Sequence, residues 1–239
     1  MKTTLRWTLS AGLVLASGLT GLGHATAAAS SETSPAITIH VRNYAGVTSQ
    51  ILTEAEQVAT EIYRKAGVET RWADIVLSEN SQVNSVDHQA FTLADIQLSI
   101  FPDVMSDRLG LSNSVMGLAP GTGPDRGVVY VFDSKVRNLF WTVLSAYTRG
   151  DMDRRVSKGQ VLGHAIAHEV GHLLLNQQGH SACGIMRGEW GFTDLRDAAD
   201  GLLLFTPEQA EFLRADVRSR NTRQEIIKVA ALASTALAP

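Results

Sequence analysis

The stretch VLGHAIAHEVGHLLL, Val161 to Leu175, decides how this chain is read. An α-helix turns about 100° and rises about 1.5 Å per residue. On that geometry Leu162, Ile166, Val170, Leu173 and Leu174 share a wide apolar arc, while His164, His168 and His172 form a stripe about 80° wide on the other side. A helix with both features is suited to a buried site. Within it, His168-Glu169-Val170-Gly171-His172 matches the pattern H-E-x-x-H. Residues four apart point the same way one turn apart, so two imidazoles reach one ion at roughly 2.0–2.1 Å. Glu169 stands about 100° further round, off the ligand line but within reach of a water on that ion. Three histidines at i, i+4 and i+8 span about 12 Å, too far for all of them to hold one ion. Of the two possible pairs, only His168/His172 encloses a glutamate where a general base is needed. His164 is therefore expected to pack behind the site.

A catalytic zinc takes three protein ligands and keeps one position open. His180 is the leading third ligand, because Asn176-Gln177-Gln178-Gly179 is a short polar turn that ends the helix and brings the chain back. Glu189 and Asp194 stay as rivals. Cys183 lies close by; a soft ligand is one reading, a small buried thiol the preferred one.

Upstream the pattern changes. Ile37, Ile39 and Val41 alternate with polar residues, as in a half-buried strand. Thr53 and Glu56 have capping-box spacing, which predicts a helix from there to Ala66, stopped by Gly67. Val68 to Leu77 and Leu93 to Phe101 read as strands around a polar loop, Ser78 to His88. Asp103 to Asp125 is rich in Gly, Ser and Pro and reads mostly as loop, with a short edge strand at Ser114 to Leu118. Val128 to Phe132 is a continuous apolar run, so a buried strand. Phe140 to Ala146 suggests a short helix, and Thr206-Pro207-Glu208 opens another. The tail after Asn221 is expected to fray. Arg149-Gly150-Asp151 reads as a polar turn. Gly121-Thr122-Gly123 lacks the lysine and helix that phosphate binding requires.

At the start, Lys2 and Arg6 precede an uncharged run from Trp7 to Leu22, then an Ala-x-Ala pattern at Ala25 to Ala27. That is the layout of a secretory signal peptide rather than a membrane anchor. It divides the chain into residues 1–29 (signal peptide), 30–220 (one domain) and 221–239 (C-terminal tail), and implies a secreted protein, extracellular or periplasmic. Without Lys2 and Arg6 the 21 basic residues fall to 19 against 24 acidic ones, a charge of about −5. An acidic balance argues against nucleic acid as a partner. One cysteine allows no intrachain disulfide, so packing must hold an exported domain, with a metal as a further support open to it.

His168, Glu169 and His172, with His180 downstream and Gly184-Ile185-Met186 after it, resemble the metzincin zinc metalloproteases. Their long motif is H-E-x-x-H-x-x-G-x-x-H followed by a methionine turn. Two positions depart: Leu175 stands where that motif has Gly, and His180 follows His172 by eight residues, where six are usual. The resemblance implies an α+β fold with a twisted mixed sheet, long helices, an active-site helix, a methionine turn at Met186 and a C-terminal helix. It implies Zn2+ on His168, His172 and His180, with Glu169 as general base in peptide-bond hydrolysis and a peptide or protein as substrate. Two other readings are a zinc protease of another clan, using Glu189 or Asp194, and a secreted zinc-binding or adhesion protein without catalysis.

Overall fold

The computed structural model describes residues 34–74, 92–112, 115–120, 127–145, 155–176 and 179–236. The leader at 1–29, the loop at Ser78 to His88, Gly121-Thr122-Gly123 and Arg149-Gly150-Asp151 lie outside these residues. So do Ser114 and the last residues of the strand expected to reach Leu77.

Five strands form one mixed sheet. They are β1 (Ala36–Asn43), β2 (Glu69–Asp74), β3 (Asp95–Phe101), β4 (Gly117–Leu118) and β5 (Val128–Phe132), in the order β2-β1-β3-β5-β4. The first four neighbours in that order are parallel. Only β4 runs antiparallel, on the outer edge beside β5, with Gly117 opposite Val131 and Leu118 opposite Tyr130. The alternation in β1 does its work: Ile37, Ile39 and Val41 are buried, while Thr38, His40 and Arg42 are half-buried on the other face.

Parallel neighbours need crossover connections, and α1 (Ser49–Lys65) supplies the one from β1 to β2. α2 (Asp103–Arg108) and α3 (Asp133–Leu144) flank β4 and β5. Then follow α4 (Lys158–Leu175), α5 (Phe192–Ala199) and α6 (Pro207–Ala236). α4 is the centre of the packing, touching α1, α3, α5, α6, β4 and β5. Ile166, Val170 and Leu174 are fully or almost fully buried there, each contributing about 1.5–3 kcal/mol. α1 crosses α4 closely at Gly163, where a Cβ would sit 2.6 Å from the Ala55 carbonyl oxygen and 2.7 Å from Val58 Cβ. The Tyr63 hydroxyl adds a bond across the same seam, donating to the Ala167 carbonyl at 2.9 Å.

Several boundaries differ from the sequence expectation. α1 begins at Ser49, so Thr53 and Glu56 lie inside it. Asp103 to Arg108 is helical, not loop, starting directly after Pro102. α3 starts at Asp133 with no turn residue after β5. The chain is helical from Pro207 to Ala236, and the stretch after Asn221 carries exposed Ile226, Ile227, Val229 and Leu232. Its start was well marked: Thr206 accepts from Gln209 N at 3.2 Å, and Gln209 Oε1 accepts from Thr206 N at 3.0 Å. Among the described residues no helix is long and apolar enough to cross a membrane.

Candidate metal centre

α4 sets two of the three histidines. It opens with a reciprocal cap: Ser157 Oγ accepts from Gln160 N at 2.9 Å, and Gln160 Oε1 accepts from Ser157 N at 2.8 Å. His168 and His172 then stand one turn apart, with their Nε2 atoms 3.0 Å from each other. Two imidazole nitrogens this close crowd each other unless a proton or a cation lies between them.

The helix ends at Asn176, in the left-handed conformation (φ 51°), its N–H donating to the His172 carbonyl. Asn is one of the few residues besides Gly that takes this conformation readily. The left-handed residue falls at Asn176, one place after Leu175, and His180 comes back beside the helix. Ring centroids of His180 lie 5.4 Å from His168 and 5.0 Å from His172. Among the described residues, His168, His172 and His180 form the group whose potential ligand atoms lie within 4.8 Å of one another. Three imidazoles converging from α4 and the segment after it suit a borderline cation such as Zn2+.

Hydrogen bonding orients the set. His168 Nδ1 donates to the Ile185 carbonyl at 2.7 Å, which fixes the tautomer and leaves Nε2 as the free electron pair. Burial, opposed by that bond, pushes the His168 pKa down to about 4, so the ring is neutral near pH 7 and able to ligate. The Ile185 carbonyl belongs to a turn in which Gly184 has φ 72° and Arg187 N donates to the Gly184 carbonyl at 3.2 Å. Met186 is buried under this turn, and a Cβ on Gly171 would stand 2.8 Å from its sulfur.

Glu169 is 5% exposed, and burial pushes its carboxyl up to about 8. A cation at the three nitrogens would pull it back down. Its neighbour is Gly117 on β4: a Cβ there would meet the Tyr130 carbonyl oxygen, and would lie 2.5 Å and 2.7 Å from Glu169 Cγ and Cδ. Edge strand and carboxylate therefore face the same cleft. A cavity of about 620 Å³ is lined by residues 115–120, Leu109, Tyr130, the three histidines, Glu169, Gly188 and Glu189.

The other sequence candidates fall elsewhere. Asp194 accepts from Arg187 at 2.6 Å and from Gly191 N at 2.8 Å, which caps α5 and occupies both its oxygens. Glu189 borders the cleft outside the histidine group. Cys183 is exposed rather than buried, because its turn faces outward with its carbonyl tied to Ser181 Oγ. His164 packs behind the site at 2% exposure, its Nδ1 donating to the Gln160 carbonyl at 2.8 Å; burial takes its pKa down to about 4. Gly117, Asn176 and Gly188 were not singled out as site residues from sequence; Trp190, with Arg187, was weighed as a cleft-lining residue against a surface or core role. Gly188 lies against His180, where a Cβ would be 2.8 Å from Nδ1.

No family model matches the chain, and no curated protein matches it. Among solved structures, a zinc-dependent peptidase from Methanocorpusculum labreanum is 16% identical, over 73% of this chain and 99% of that one, with a TM-score of 0.42.

Proposed function

We propose that this chain is an exported zinc-dependent endopeptidase of metzincin type. The observation that carries the reading is the convergence of three histidine donors within 4.8 Å, beside a buried glutamate on a cleft. His168, His172 and His180 would hold the ion, and Glu169 would be the general base. When bound, the zinc would polarise the scissile carbonyl and acidify a water molecule. Glu169 would accept that water's proton and deliver it to the departing amine. Burial raises the pKa of the Glu169 carboxyl and a bound cation would lower it, and these opposed influences suit a group that takes up and gives back a proton. Among the described residues β4 has no strand on its outer edge, which borders the cleft, so an extended peptide can add there by main-chain hydrogen bonds. The buried Met186 beneath the turn and the antiparallel edge strand support the metzincin assignment. Export rests on the leader-like composition of residues 1–29, and N-terminal sequencing of the product tests it.

Glu169→Gln keeps the shape of the side chain and removes the base. The expected result is zinc retained at one per chain and peptide cleavage lost by at least about 10²-fold. Equal cleavage by the two proteins would leave a zinc-binding protein whose glutamate has no catalytic part.

A further inference from the structure

The His168 ring is held at one atom by the Ile185 carbonyl, and a single hydrogen bond still lets a ring swing. Behind the donor cluster, Trp190 packs against it. The indole stands edge-to-face against His168, with centroids 5.5 Å apart and planes at 89°. It also meets His164 edge-to-face, at 6.3 Å and 88°. Trp190 is 6% exposed and His164 is 2% exposed, so the three rings form a buried stack behind the donor cluster. Trp190 Nε1 and His164 Nε2 are both buried without a hydrogen-bond partner among the described residues. Packing, not a polar bond from the indole to the protein, therefore fixes the ring.

Trp190 is carried by the segment that also brings His180, the Ile185 carbonyl and Met186. The Arg187–Asp194 pair and the bond from Gly191 N to Asp194 close this segment on both sides of the indole.

We propose that Trp190 is a positioning residue for the metal centre, whose edge-to-face packing holds the His168 imidazole in the orientation that meets His172 and His180. This rests on the metal-binding part of the function proposed above. It does not depend on peptide cleavage.

The test is zinc affinity of the full chain, measured by competition with a chromophoric chelator. Trp190→Leu removes the flat ring, and affinity is expected to fall ten- to hundred-fold, as for other residues that orient a ligating histidine. Trp190→Phe keeps a ring and drops only the unpartnered nitrogen, and is expected to stay within about three-fold of the unaltered chain. Leu213→Ala, a truncation of the fully buried Leu213 on α6, controls for general loss of stability and is expected to leave affinity unchanged. Trp190→Leu within three-fold of the unaltered chain overturns the proposal. So does Trp190→Phe as weak as Trp190→Leu, or Leu213→Ala as weak as either. An unaltered chain that takes up no zinc sinks the metal reading itself, which separates the two failures.

Discussion

Gly117→Ala probes how closely the edge strand and Glu169 fit. An added methyl would stand 2.5 Å from Glu169 Cγ and 2.7 Å from Cδ, and would also meet the Tyr130 carbonyl oxygen. Carbon atoms rest at roughly 3.5–4.0 Å, so the carboxylate or the strand must move by about 1 Å. The Tyr130 oxygen is main chain and belongs to the β4–β5 pairing, leaving Glu169 as the freer partner. Overpacking of this size costs about 1–3 kcal/mol of stability. A misplacement of about 1 Å at a reacting group costs about 10²-fold in rate. Gly117 carries no ligand, so the three histidines are undisturbed. The expected outcome is kcat/KM on a fluorogenic peptide reduced about 10²-fold, with zinc content unchanged and the melting temperature lowered by several degrees. Activity within three-fold of the original, with Glu169 unmoved in a crystal structure of the variant, would refute the reasoning. Zinc lost along with activity would show instead that β4 supports the histidines.

Two further outcomes follow from buried groups. His164 has a folded pKa of about 4 against an ordinary 6.5. Its contribution is complete above pH 6.5 and disappears as pH falls toward 4, because only the unfolded chain gains the proton in that window. The loss amounts to about 3 kcal/mol at pH 4, and urea unfolding of the chelator-treated chain should show a shallower acid limb in His164→Leu. Tyr63→Phe removes the bond to the Ala167 carbonyl. It should lower stability by about 1–2 kcal/mol and the melting temperature by about 2–8 °C in calorimetry, with cleavage otherwise intact.

Periodicity made α4 and β1 legible, because their burial follows rules of period 3.6 or 2 within one element, and an unbroken apolar run marked β5. The histidine pair was legible for the same reason, since one helical turn sets it. Sheet order was not. The pairing of β1 with both β2 and β3 depends on contacts far apart in sequence, which no local pattern encodes. α2 and α5 were passed over because short helices carry little periodic signal. Asp194, which caps α5 through Gly191 N, was the available clue and was weighed only as a ligand. Cap position also misled at α1, where the Thr53–Glu56 pair sits inside an established helix. For the third histidine, the absence of Gly at 175 put the return of the chain in doubt. Asn176 supplied the left-handed residue one place later, an option that Asn shares with Gly. Gly117 carried no recognisable signal, since its role arises only when β4 lies beside α4.

The three donors lie within one short segment, whereas the wall that presses on Glu169 comes from roughly fifty residues upstream. Closing a small loop costs little entropy, and closing a large one costs more and takes longer. The histidine group can therefore assemble before the sheet is complete. On the function proposed above, a chain that had already bound its ion would still lack the wall against Glu169 until β4 docks.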